Sequence, residues 1–152
     1  MIDDDISPMR RPEDLPPIRT QADVWRHWRT LMGPLGFSER LLWIQFLHAD
    51  GRVVPVLQQI TELPRLPEPR LVDNLMGIFE RVCADLGVGS VALLMSRPGP
   101  AGITAAERSW ARHLVDAALA AEVAMWPVHV ANDYELVAVT PDDMVKARVA
   151  VG

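Results

Sequence analysis

The stretch that decides the fold is Val91-Ala92-Leu93-Leu94-Met95-Ser96-Arg97-Pro98-Gly99-Pro100. Its first half is apolar at consecutive positions, as in a central strand whose sheet is covered on both faces. Proline and glycine then interrupt the run, and Thr104-Ala105-Ala106-Glu107 follows with the pattern of a capping box at a helix start. Ligands in α/β folds usually bind just past the carboxyl end of such a strand. We therefore expect a site between this strand and this helix.

On the N-terminal side, apolar residues recur at helical spacing between positions 24 and 32. Thr20 fits the N-cap of this helix and Gly33-Pro34 fits its end. We place Trp25 and Trp28 on the apolar face and His27 on the opposite, polar face. Residues 1–19 carry four prolines among charged residues, which is typical of an extended arm.

Two apolar runs, at 41–47 and 53–60, are separated by a segment that contains Asp50-Gly51. Aspartate and glycine both tolerate positive φ, so this dipeptide between strand-like runs predicts a β-hairpin. Pro55 has no backbone N–H to donate, which indicates an edge strand or a bulge.

The remaining elements complete the predicted order α-β-β-α-β-α-β-β-α. We predict a long amphipathic helix over 71–86, a helix from the Thr104 cap to about 121, strands over 125–131 and 134–139, and a short C-terminal helix after Thr140. Pro127 again hints at an edge or a bulge. The fold class is α/β (α+β): an arm over 1–19, then a single domain over 20–152 with a mixed sheet flanked by helices.

Composition narrows the classes of function. The chain has 152 residues, 49% of them hydrophobic, and a net charge of −5, which argues against a nucleic-acid partner because phosphate binding needs clustered basic residues. Cys83 is the single cysteine, which excludes an intrachain disulfide. No apolar run is long enough to span a membrane, and the acidic N-terminus is the reverse of a signal peptide. We expect a cytoplasmic protein that does not bind membranes.

With these residues, the order of elements resembles the RadC-like branch of the JAB/MPN metalloprotease-like fold over roughly residues 39–139. The hairpin with Asp50-Gly51-Arg52 is similar to the opening hairpin of that family. Pro69-Arg70 resembles its Pro-Arg-Glu-Val helix start, with Leu71 in place of the glutamate. Pro98 and the Thr104 cap resemble its His-x-His-Pro-Ser-Gly strand end and its helix entry.

The resemblance implies a zinc site whose ligands this chain lacks. Met95 and Arg97 stand where the family has its two histidines, and the hairpin glutamate that serves as general base falls near Gln58 or Gln59. A thioether and a permanent cation are poor zinc ligands. Glu107 could stand for the acidic ligand, but one carboxylate does not make a site. The resemblance therefore implies a metal-free relative, with no cofactor and no catalytic residue.

Two hypotheses remain open. The preferred one is a non-catalytic module that binds a protein or peptide, with candidate binding residues Arg97, Ser96, Thr104, Glu107 and His129. Arg97 would attract an anion such as a carboxylate tail together with the following helix N-terminus, or it would instead pair with Glu107. The alternative is a hydrolase of peptidase or isopeptidase type with a rearranged site that draws on Glu107, His113 or His129. A homodimer through the strands that carry Pro55 and Pro127 is a further option.

Overall fold

The computed structural model describes residues 15–144, and their chain forms one five-stranded mixed sheet with helices on both faces. This confirms the predicted fold class. The first fourteen residues of the predicted arm, and the predicted C-terminal helix after Met144, lie outside the described residues. No helix between residues 15 and 144 is long and apolar enough to cross a membrane.

The elements follow one another as α1 (Gln21–Met32), β1 (Leu41–His48), β2 (Val53–Ile60), α2 (Pro69–Leu86), β3 (Val88–Ser96), α3 (Ala105–Ala121), β4 (His129–Ala131) and β5 (Leu136–Ala138). Residues 141–144 begin a further helical turn. Across the sheet the order is β2-β1-β3-β4-β5, in which β3 and β4 are parallel and the other neighbouring pairs are antiparallel. The apolar strand singled out in the sequence is therefore the central one.

Side chains alternate between two cores because successive strand residues point to opposite faces. Leu93 and Met95 of β3 join the core beneath α2 and α3, whereas Ala92 and Leu94 join the core beneath α1. Burial on both faces explains why β3 is apolar at consecutive positions.

Capping residues set the ends of the helices as predicted. A capping box starts α1, because Thr20 Oγ1 accepts from Asp23 N at 3.1 Å and the Asp23 carboxylate accepts from Thr20 N at 3.0 Å. Thr104 and Glu107 form the same box at the start of α3. At the end of α2, Gly87 takes the left-handed conformation that closes many helices.

The face of α1 differs from our prediction. Val24, His27, Trp28 and Leu31 are buried, with spacing i, i+3, i+4 and i+7, whereas Trp25 is 42% exposed. His27 is accepted in the interior because its Nε2 lies 3.1 Å from Oε1 of the buried Gln45 on β1. The expectation that His27 lies on the polar side was wrong. Periodicity along α1 could not show that the Gln45 side chain on β1 provides a buried hydrogen-bond partner for it.

The two strands that contain or follow a proline occupy different positions in the sheet. β2 is an edge strand, and its register with β1 shifts between Gln45 and Leu47, so Pro55 marked both an edge and an irregularity. In contrast, β4 lies inside the sheet and spans only 129–131. Met125 makes an isolated bridge to Val91, and the ladder resumes only after Pro127, which has no N–H to donate. The predicted strand was therefore too long.

Candidate functional site

A cleft of about 490 Å³ opens at the carboxyl end of β3, where the sequence predicted a site. Its wall includes Met95, Leu63 and Trp110, all members of the core beneath α2 and α3, so the cleft lies on that face of the sheet. The start of α3 lines another side through Ala105 and Ala106. Apolar walls with a few convergent polar groups are what small-ligand and peptide sites have in common.

Two distant loops bring arginines to this cleft. Leu41 pairs with Ser96, so Arg40 lies beside the end of β3. The indole Nε1 of Trp110 donates to the Pro64 carbonyl at 3.0 Å, which ties the loop before α2 to α3 and places Arg65 at the cleft. Neither arginine was predicted from the sequence, although the antiparallel pairing of β3 with β1 would have pointed to Arg40.

Arg97 is held by almost all of its donors. Its Nε donates to Glu107 Oε2 at 2.8 Å, and the two side chains are only 12% and 10% exposed. One terminal nitrogen donates to the carbonyls of Pro98 and Pro100 at 3.2 and 3.1 Å, and the other to the carbonyl of Gly102 at 2.8 Å. The pairing alternative is therefore the one the structure has, and Arg97 organises the loop before α3.

Glu107 is equally engaged. Its Oε1 accepts from the Thr104 backbone N–H at 2.9 Å, while the Thr104 hydroxyl accepts from the Glu107 N–H at 3.0 Å. Both carboxylate oxygens therefore already have donors, one in the capping box and one on Arg97. A general acid or base must reach a substrate proton, and Glu107 in this arrangement serves the loop instead.

The donors at this strand end do not fit the zinc ion that the family resemblance implies. Met95 and Arg97, which the resemblance sets against the two family histidines, offer a thioether and a permanent cation, and the Arg97 cation lies on Glu107. Across residues 15–144, no group of three or more His, Cys, Asp or Glu side chains is arranged to hold a metal ion. No step through a metal can be derived from these residues.

Two of the predicted site residues have other roles. Ser96 is 1% exposed, and its hydroxyl accepts from Trp43 Nε1 at 2.9 Å. His129 is fully buried and pairs in register with Leu94, so it points into the core beneath α1 rather than into the cleft. Its Nδ1 lies 2.9 Å from the Pro127 carbonyl, and burial lowers the pKa of its imidazole. Arg97, Thr104 and Glu107 are thus brought together, and His129 is separated from them.

No protein-family model matches the chain, and no curated protein matches it.

The charge of the cleft differs in sign from that of the whole chain. Arg40 and Arg65 are exposed and make no ion pair within residues 15–144, whereas the charge of Arg97 is matched by Glu107. Glu39 is the other acidic residue that lines the cleft. The positive end of the α3 dipole adds to the two arginines. The cleft is therefore mildly cationic on a molecule whose net charge is −5.

Proposed function

We propose that this chain is a non-catalytic, metal-free JAB/RadC-like domain of the cytoplasm that binds a protein or peptide segment. The observation that carries the proposal is the Arg97–Glu107 pair at the end of the central strand. At the place where the family resemblance implies a metal, Arg97 donates to four acceptors. It therefore holds the loop before α3 in place instead of taking part in a reaction. The open cleft beside the pair is then available to bind a partner segment.

The cleft favours an extended segment that ends in a carboxylate or carries acidic side chains. Met95, Leu63 and Trp110 offer apolar contact, and Arg40 and Arg65 offer guanidinium groups whose donors are free of ion pairs in the described chain. Guanidinium groups bind carboxylates through paired, charge-assisted hydrogen bonds. Arg97, which we first expected to attract the anion, supports the floor of this site instead.

A library of peptides displayed with free C-termini tests the proposal. Selection on the wild-type protein should enrich acidic sequences, and binding of the selected peptides should fall at least about tenfold in an Arg40→Glu/Arg65→Glu variant, which corresponds to about 1.4 kcal/mol. The matched control is Arg19→Glu/Arg81→Glu, which makes the same change of charge at exposed arginines that do not line the cleft.

Two outcomes would overturn the proposal. One is that no peptide is enriched, or that both double variants weaken binding equally. The other is that the wild-type protein hydrolyses the bound peptide or an isopeptide bond and that Glu107→Gln abolishes the hydrolysis. That second result would move the hydrolase hypothesis to the front.

A further inference from the structure

The two edges of the sheet are finished in different ways. β5 is three residues long, and the Leu136 carbonyl accepts a hydrogen bond from Trp25 Nε1 at 2.7 Å. β2 is eight residues long, contains no charged residue, and pairs only with β1 within residues 15–144. Natural proteins blunt exposed edges with charge, proline, bulges or short length, because unpaired edges recruit other strands.

Alternation along the sheet shows which groups of β2 face outward. Odd-numbered residues of β3 make their backbone hydrogen bonds on the β4 side, as Val91 and Arg97 show. Because successive residues of a strand bond to opposite sides, the even-numbered residues of β3 bond to β1. These even-numbered β3 residues pair with odd-numbered residues of β1. The backbone groups of the even-numbered β1 residues therefore face β2. Their partners on β2 are Gln58 and Ile60. Leu57 and Gln59 therefore present N–H and C=O to the outside.

Only the first half of this edge is protected. The irregularity opposite Phe46 falls at 53–57, and Gln45 Nε2 donates to the carbonyls of Val54 and Val56 at 2.9 and 3.1 Å. Pro55 lies between these two inward carbonyls, so its missing N–H is on the outer side. From residue 57 to residue 60 the strand pairs regularly with β1 and has no such protection.

We propose that a second copy of this chain adds to the sheet through β2, antiparallel and about a two-fold axis at Gln58. In this register Leu57 faces Gln59 of the second copy, and Gln59 faces Leu57 of the second copy. Each of these pairs exchanges two N–H···O bonds, so every outward group of Leu57 and Gln59 is satisfied. The same surface serves both copies, as a two-fold interface requires.

Pro55 selects this register over its neighbour. An axis at Leu57 would place Pro55 opposite Gln59, and the Gln59 carbonyl would then face a residue that has no N–H to donate. With the axis at Gln58, Pro55 falls opposite the end of the other strand. Val56, which is 49% exposed, then lies opposite Ile60 of the second copy.

The two ends of the strand carry exposed side chains of opposite charge. Arg52 precedes β2, and Glu62 follows it. Arg52 Nε donates to Asp50 Oδ2 at 2.7 Å, and no hydrogen bond within the described chain engages its terminal nitrogens. Antiparallel pairing brings Arg52 of one copy toward Glu62 of the other. A second copy of this chain carries a cation before the strand and a carboxylate after it, as this antiparallel pairing requires. A strand of another protein would have to carry the same two charges at the same places.

The mass of the full chain in solution, measured over a concentration series, tests the proposal. The 16.9-kDa chain should shift to twice that mass as concentration rises. Gln58→Lys places two like charges opposite each other at the axis and should raise the dimer dissociation constant at least about tenfold. Gln21→Lys makes the same change at an exposed glutamine of α1 and should leave the dissociation constant unchanged.

Cysteine pairing tests the register in a Cys83→Ser background. At the axis the two copies of residue 58 form a non-hydrogen-bonded pair with Cα atoms about 4.5 Å apart, within disulfide range. Gln58→Cys should therefore oxidise to a covalent dimer. Val56→Cys lies on the same face, but its two copies are four residues out of register, on the order of 14 Å apart along the strands, and should not cross-link.

A chain that stays monomeric across the concentration series overturns the proposal. So does a dimer that Gln58→Lys does not weaken and that Gln58→Cys does not cross-link. Selective cross-linking through Val56→Cys would overturn the register. None of these residues lines the cleft at the end of β3, so the two sites can fail independently.

Discussion

Arg97 and Glu107 form a nearly buried ion pair whose value depends on the groups around it. Removing two charges from water is costly, and their attraction compensates only when the remaining donors and acceptors are also satisfied. Here Arg97 reaches three loop carbonyls and Glu107 completes a capping box. Replacing one partner should therefore disturb the loop as well as the charge balance.

We expect Arg97→Met to lower the free energy of unfolding by about 3 kcal/mol, because it leaves the Glu107 carboxylate without its cation and the loop carbonyls without donors. Glu107→Gln should lower it by less, about 2 kcal/mol, because the single amide oxygen can accept from either the Thr104 N–H or Arg97 Nε but not both, while Arg97 keeps its three loop carbonyls. Urea unfolding at neutral pH measures both values. Equal losses in the two variants would contradict this account.

His27 and His129 make stability depend on pH. Burial lowers the pKa of both imidazoles below the ordinary value of 6.5, against smaller opposing effects of hydrogen bonds to Gln45 and the Pro127 carbonyl. The unfolded chain then binds more protons than the native one below pH 6.5. Stability is therefore fully present above that pH and falls as the pH drops, by up to about 1.4 kcal/mol per pH unit for each histidine.

Urea unfolding at a series of pH values between about 7.5 and 5.5 measures this slope. His27→Gln and His129→Gln should each make the slope shallower, whatever they do to stability at neutral pH. His113→Gln is the control, because that side chain is exposed on α3. A slope that only the control changes would show that neither buried imidazole is responsible.

At the scale of elements, the hairpin turn between β1 and β2 is locked to the segment before α1. The Ile18 N–H donates to the Gly51 carbonyl at 2.8 Å, and Ile18 is 2% exposed. Gly51 has φ +93°, and a Cβ at this position would clash with the Ile18 carbonyl oxygen. The last residues of the predicted arm are therefore part of the packing beneath α1.

Gly51→Ala should lower the free energy of unfolding by about 2 kcal/mol or more, from positive-φ strain together with the clash. Gly36→Ala is the matched control: its φ is +144°, but a Cβ there meets no atom within 4 Å, so only the strain remains. Thermal or urea unfolding compares the two. Equal losses would indicate that the contact with Ile18 contributes nothing.

For the molecule as a whole, we expect no stoichiometric zinc after purification without a tag or chelator, and no specific change in melting temperature when Zn²⁺ is added. The physical reason is that Met95 and Arg97 supply no ligand for zinc at the end of β3. Elemental analysis and thermal melting are the measurements, with chelator-treated protein as the control. Near-stoichiometric zinc would contradict the metal-free proposal.

Most of the fold could be predicted from patterns within short stretches of the sequence. The caps at Thr20 and Thr104 and the glycine at position 87 set helix ends through contacts within a few residues, so the sequence was sufficient to predict them. The apolar stretch before Arg97 likewise predicted a central strand. The position of the cleft followed from that strand alone.

The features that the sequence did not predict depend on contacts between residues far apart in the chain. The burial of His27 depends on Gln45, eighteen residues away. Arg40 and Arg65 reach the cleft only because β1 runs antiparallel to β3 and Trp110 anchors the loop before α2. The sequence left open whether Arg97 would bind an anion or pair with Glu107, because the loop between them fixes the distance.

The central position of β3 has a consequence for synthesis of the chain. β1 and β2 are the first strands to leave the ribosome, after α1, and about forty residues beyond the end of β1 are made before β3 begins and can cover the second edge of β1. During that interval the nascent hairpin presents two open edges, and completion of the sheet closes one of them. Sheets built from such distant segments form slowly and are prone to aggregate meanwhile. The outer edge of β2 is open throughout synthesis, so we expect neighbouring nascent chains on one message to pair prematurely through it unless a chaperone covers it.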